Sequence, residues 1–352
     1  MKDAASRLEA AQDFLEAGRP AHALRVLAPR PAALWAGETQ FLRAEALRAQ
    51  GFFDRAAAAY HRVPALARGD RDLRGRAALG LAAVWRSLGK VGPARAAMNA
   101  ARAAGATGVP MDLESALIER AAGNWKRCLP SLKALLARFS REKDSASAAF
   151  VHWALGGARR FSGDLAGGRK DFEASLRLAR RAADAPGVVY ALFGLAGVSR
   201  IQGRLEESRA RYAEAGRLLA KTQDIFGKAY AFCGESNALR QLGRLEEARR
   251  GYLRSRGLYA SLGDAVDLAY VDWGLGKIAL ARGRLAEADK WLKLALAGFS
   301  KGAEARGLVL SEHALAALRH AQGRSREGEL LFDQAVRRSR KAGLTAHLEI
   351  FT

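Results

Sequence analysis

Residues 202–219, QGRLEESRARYAEAGRLL, are written again with small changes at 242–259 as LGRLEEARRGYLRSRGLY. A third version, RGRLAEADKWLKLALAGF, occupies 282–299, and looser ones occupy 162–179 (SGDLAGGRKDFEASLRLA) and 322–339 (QGRSREGELLFDQAVRRS). A fixed interval of 40 residues between similar amphipathic segments is the mark of a repeat architecture, in which one supersecondary unit is copied along the chain.

One glycine can be marked in every unit: Gly18, Gly51, Gly89, Gly123, Gly163, Gly203, Gly243, Gly283 and Gly323. From Gly123 onward each interval is 40, whereas the earlier ones are 33, 38 and 34. An apolar-periodic stretch lies on each side of the glycine, so each unit is expected to be helix, tight turn, helix. Asp144, Asp184, Asp224 and Asp264 stand nineteen residues before four of these glycines, with Glu304 in the fifth such place, and are expected to cap the first helices. Small residues recur where the helices must approach: Ala154, Gly194, Gly234, Gly274 and Ala314 on the first helix, and Gly168, Ser208, Ala248, Ala288 and Gly328 on the second. Large ones recur nine residues after the glycine, at Phe172, Tyr212, Tyr252, Leu292 and Phe332, and are expected to fill the hairpin. Pro130 is expected to kink or delay one second helix in the less regular N-terminal part.

This order of small residue, turn glycine, small residue and large ring resembles the tetratricopeptide repeat (TPR), in a variety with 40-residue units. The resemblance implies an all-α solenoid of about nine helix pairs, a right-handed superhelix running through residues 1–352 as one domain. Residues 1–140 would hold irregular repeats, 141–344 five regular ones, and 345–352 a tail. A lone helical hairpin cannot bury its apolar face, so copies stack and bury it against one another.

Composition narrows the function. Nearly half the residues (49%) are apolar, enough for a substantial core, and 58 Lys and Arg against 36 Asp and Glu give a net charge of +22. That charge suits an acidic partner, and it also suits an arginine-rich proteome writing solvated helix faces. Two cysteines, Cys128 and Cys233, form neither a disulfide framework nor a zinc motif, which with the absence of an export signal leads to the expectation of a cytoplasmic protein. No run of about 18 apolar residues suggests a membrane span. Enzyme signatures are weak: WGLGK at 273–277 lacks the full phosphate-loop spacing and lies within a helical pattern, and His313 and His320 are two turns apart with no HExxH. No catalytic residue, metal or cofactor is expected.

The family resemblance implies that ligands lie along a concave face formed by the first helices. Carried onto this sequence, that face collects Phe150, Tyr190, Tyr230 and Tyr270 at one level, then Trp153, Phe193, Cys233, Trp273 and His313, then Asn237 and Lys277, then Arg160, Arg200, Arg240 and His320. Rings offer rigid contact area, and arginine pairs bidentately with carboxylates or phosphates. Rings at this spacing can equally pack between repeats. Glu235 stands where neighbouring units have leucine, and Asn237 carries an amide able to hold an extended peptide backbone, though a salt bridge from Glu235 to a nearby arginine is a sufficient structural reason for it. Leu195 and Leu275 are expected in the packed face, and Arg200 and Arg240 in a wet groove. Three functions follow: a non-catalytic scaffold holding an acidic or extended peptide segment of another protein, a peptide-sensing regulator, or a nucleic-acid binder that stacks bases on the rings.

Overall fold

The computed structural model describes residues 4–29 and 31–344, so the 345–352 tail lies outside the described residues. Among them are eighteen α-helices, one short 3₁₀ turn and no strand. The first four antiparallel pairs are α1 (Ala4–Glu16) with α2 (Pro20–Val26), α3 (Ala36–Ala49) with α4 (Phe53–Leu66), α5 (Arg71–Ser87) with α6 (Val91–Ala103), and α7 (Val109–Ala121) with α8 (Trp125–Arg141). The five regular pairs follow. They are α9 (Ser145–Ser162) with α10 (Leu165–Arg181), α11 (Ala185–Ile201) with α12 (Leu205–Leu219), α13 (Ile225–Gln241) with α14 (Leu245–Leu262), α15 (Ala265–Ala281) with α16 (Leu285–Gly302), and α17 (Ala305–Ala321) with α18 (Ser325–Lys341).

Every hairpin turns at its expected glycine. All nine adopt φ between +66° and +96°, a region that costs residues with a Cβ about 1–2 kcal/mol. A second series of left-handed positions joins one hairpin to the next, at Gly105, Lys143, Ala183, Gly263 and Ala303. Three of these five are not glycine, so no glycine rule could find them. Ala303→Gly should therefore raise stability by about 0.5–1 kcal/mol, after the entropy cost of glycine is deducted from the relieved strain. A lowered urea midpoint for that variant would show that Ala303 is not strained.

The capping expectation holds for Asp144, Asp184 and Asp264, whose carboxylates accept from the backbone N–H groups of Ser147, Gly187 and Asp267 at 2.9–3.0 Å. Asp70 and Asp164 cap α5 and α10 in the same way. Glu304 makes no such bond, because its carboxylate accepts from the hydroxyl of Tyr270 at 3.0 Å. Pro130 neither ends nor delays its helix: α8 begins two residues after Gly123 and runs through it.

The large residues do more than fill their own hairpins. A Cβ placed on Gly156 would stand 2.9 Å from Phe172, in the same hairpin, and one on Gly194, in the next, would stand 2.2 Å from it. Gly234 meets Tyr212 at 2.2 Å and Gly274 meets Tyr252 at 2.5 Å in the same manner. Each ring thus occupies the space left by the missing side chain of the glycine on the following first helix, and repeats interlock through the residue types that recur every 40 positions. Phe172, Tyr212, Tyr252 and Leu292 are buried, while Phe332 is 48% exposed, since α18 is the last described helix and no following glycine receives that ring.

The described chain divides into two compact units, Met1–Gly194 with Leu218–Ile225, and Leu195–Arg217 with Phe226–Thr352. Within the first, the backbone N–H of Ala21 donates to Oε1 of Gln223 at 2.8 Å, and Gln223 Nε2 lies 3.4 Å from Nδ1 of His22. This polar contact joins the start of α2 to the turn after α12.

Candidate functional site

In the first unit the candidate residues come from α9 and the first half of α11. Phe150, Trp153, Tyr190 and Phe193 form a chain of rings with centroids 5.4, 6.0 and 5.8 Å apart, the last two contacts edge-on. Phe150 is 40% exposed at one end, Trp153 and Tyr190 are half-buried, and Phe193 is buried and serves packing. Arg120 of α7, which sequence reasoning missed, lies over Trp153 with its guanidinium carbon 4.6 Å from the ring centroid. It has room because position 157 is glycine: a Cβ there would stand 2.7 Å from Nη1 of Arg120. Arg120 stands 40 positions before Arg160, so the spacing that picked out Arg160, Arg200 and Arg240 reaches it when extended one unit into the irregular region.

Charge in this cluster is not balanced. Arg86 is neutralised by Glu114, with Nε donating at 2.6 Å. Arg120 has no carboxylate within ion-pair distance among the described residues, and loss of hydration, with Arg86 and Arg160 beside it, pulls its guanidinium down to about 10. Arg160 stacks on Phe161 at 4.5 Å and its Nε is buried without a hydrogen-bond partner. Two arginines beside half-exposed rings favour an anion among them.

In the second unit Tyr230, Cys233, Asn237 and Arg240 lie on α13, and Tyr270, Trp273 and Lys277 on α15. The hydroxyl of Tyr252, from α14, donates to Oδ1 of Asn237 at 2.6 Å and accepts from Nε of Arg240 at 3.3 Å. Asn237 gives its amide N–H to Sγ of Cys233 at 3.8 Å, a weak acceptor. Arg240 lies over Trp273 at 5.0 Å, Lys277 lies near the same ring at 5.8 Å, and Nη2 of Arg240 is buried with no partner. Burial pushes the Cys233 thiol up to about 12, so it stays protonated and is no nucleophile. Tyr230 packs beside Tyr212 and Phe226 and remains half-buried.

With Phe193 already placed in the packing, four further expectations are corrected. Trp273 does not line a groove: it is 1% exposed, and its indole N–H donates to the carbonyl of Leu310 at 3.2 Å. Tyr270 is drawn between repeats, edge-on to Phe299 at 4.6 Å and bonded to Glu304, and burial together with that carboxylate pushes its hydroxyl well above the usual tyrosine range. Arg200 is 7% exposed, so it does not stand in a wet groove, whereas Leu195 and Leu275 are buried as expected. Glu235 turns to α12, 4.0 Å from Nη1 of Arg209, and its half-buried carboxyl is held above its ordinary range by lost hydration, against the pull of Arg209, Arg217 and Arg244. Burying an acid there needs a cation opposite, and Arg209 supplies it.

No helix among the described residues is long and apolar enough to cross a membrane, and no group of His, Cys, Asp and Glu among them could hold a metal ion. No protein-family model matches the chain, and no curated protein matches it. Solved structures do. A Rap protein in complex with competence and sporulation factor superposes with a TM-score of 0.69 at 9% identity, over 97% of this chain and 99% of that one. Aspartyl phosphate phosphatase F from Bacillus subtilis gives 0.59 at 7% identity, over 98% and 96%. BtubC (BKLC) from P. vanneervenii gives 0.52 at 18% identity, over 63% and 93%. At such identities the likeness is one of fold, and with paired helices, turn glycines and ring-on-glycine joints in hand, the chain is a TPR-like helical-repeat protein.

Proposed function

We propose that this chain is a non-catalytic adaptor, one repeat domain over residues 1–352, that holds an extended acidic segment of a partner protein on its first helices. The observation that carries this reading is the Arg120 and Arg160 pair: cations that no carboxylate of the described chain neutralises, set beside a ladder of half-exposed rings. The rings would take the backbone and apolar side chains of the segment, and the guanidinium groups its carboxylates. Arg240 with its buried unpartnered Nη2, beside the Asn237 amide, offers the same chemistry in the second unit. The likeness to a Rap protein solved with a bound factor supports a second reading, a regulator that responds to its ligand, built on the same residues. The phosphatase name belongs to its own protein.

A fluorescent Asp- and Glu-rich extended peptide with one aromatic residue tests the proposal by anisotropy. Affinity should survive 150 mM salt and fall at least about tenfold in Arg120→Gln with Arg160→Gln, each change removing one charge-assisted contact. Single-stranded RNA of equal charge should bind only at low salt, since neutralising six to ten phosphates loses about 10³–10⁵ in affinity between 50 and 200 mM. Tight RNA binding at 150 mM that needs Trp153 and Tyr190, with no peptide binding, would replace the adaptor with a nucleic-acid binder.

A further inference from the structure

A cavity of about 390 Å³ opens among α2, α3 and α4, built from residues that take no part in the ring ladder. Leu24, Leu47, Ala58 and Ala59 give it an apolar surface, Gln40 turns its amide Nε2 to the carbonyl of Ala59 at 3.4 Å, and three arginines complete the lining: Arg43, Arg55 and Arg62. No Asp or Glu lines it. Arg55 and Arg62 are seven positions apart on α4, hence on one face of that helix. Among the described residues neither has a carboxylate within ion-pair distance, whereas elsewhere in the chain arginines such as Arg86, Arg256, Arg319 and Arg338 are held by acids.

One of the three guanidinium groups is tied to backbone and a second rests on a ring. Arg43 donates through Nη2 to the carbonyls of Leu27 and, at 3.3 Å, Ala28, so its position is set by backbone and not by a counter-charge. Arg55 stacks over Phe52 at 5.0 Å. Cations arranged in advance around a concave apolar surface lose little freedom on binding, and the size is at the low end of small-molecule sites.

We infer that this cavity is a site for a small amphiphilic anion, whose apolar body of about ten heavy atoms lies on Leu24, Leu47 and Ala58 while its phosphate or carboxylate head is held by Arg43, Arg55 and Arg62. Neither part of the ligand suffices alone. An inorganic anion leaves the apolar surface wet, and an uncharged hydrocarbon leaves the arginines without a counter-charge. The inference is independent of the adaptor reading, because none of these residues belongs to the ring ladder or its arginines.

Octyl phosphate and octanoate, titrated calorimetrically into the full chain at 150 mM salt, test it. One equivalent should bind saturably, and inorganic phosphate and octanol should each bind at least about tenfold more weakly. Arg55→Gln with Arg62→Gln, both on an exposed face, should keep the helical circular dichroism and lose about tenfold or more in octyl phosphate affinity. Arg120→Gln with Arg160→Gln should leave it unchanged. A preference for octyl phosphate over octanoate would assign the head to a phosphate, and the reverse to a carboxylate. Lack of saturable binding, equal binding of inorganic phosphate, or equal affinity in the Arg55 and Arg62 variant would each overturn the inference.

Discussion

Trp273→Ala is expected to destabilise the second unit by about 3–5 kcal/mol, the cost of emptying a fully buried aromatic site. The ring packs in a cluster with Phe299, Leu310 and Leu315, and its N–H is the donor to the Leu310 carbonyl, so the truncation removes packing and a hydrogen bond together. Arg240 would also lose the ring it lies on. Trp273→Phe separates these contributions. It keeps most of the volume and gives up the N–H, while the Leu310 carbonyl keeps its helical donor within α17, so its cost should be about 0.5–1.5 kcal/mol, that of one hydrogen bond. Urea unfolding followed by circular dichroism reads both. A Trp273→Ala protein as stable as the parent would mean that the ring does stand in a groove.

Gly194→Ala should cost on the order of 1–3 kcal/mol, although alanine is intrinsically the better helix former. The new methyl would enter at 2.2 Å from Cδ1 of Phe172, a rigid ring that is itself buried, so the ring or the helix backbone must shift. Phe172→Leu alone should also destabilise, by leaving the joint underfilled. In the double variant the smaller side chain makes room for the methyl, so the two costs should fail to add by about 1 kcal/mol or more, as expected for residues in direct contact. Additive costs would mean that Phe172 does not rest on Gly194.

The fold was legible because it is periodic. Turn glycines, capping aspartates and small residues repeat at 40, and a signal written five times survives the noise in any one copy. Joints between hairpins were less legible: Lys143, Ala183 and Ala303 adopt left-handed conformations without the residue type that announces them. The candidate site was legible as a set of positions and not as a set of exposures. Periodicity put Trp153 and Trp273 on one helical face, yet Trp153 is half-buried beneath Arg120 while Trp273 is sealed by the Leu310 backbone of the next repeat. Exposure depends on the neighbouring unit, and the neighbours differ: the place held by His313 in the last pair and by Cys233 in an earlier one is filled by rings elsewhere. Arg120 escapes the column of arginines because the intervals before Gly123 depart from 40, which starts the legible register one unit late.

The contact between Ala21 and Gln223 gives the first unit a different order of events from the rest of the chain. Helical hairpins assemble through neighbours close in sequence, and such contacts form fast because little chain must be closed to make them. A bond across about 200 residues would cost roughly 4–5 kcal/mol of chain entropy if formed alone, against the 0.5–1.5 kcal/mol that one hydrogen bond returns. It can therefore arise only after the intervening pairs have stacked and brought its ends together. By the same arithmetic it is among the first to part when the pairs of the first unit loosen, so the start of α2 reports on the integrity of that unit.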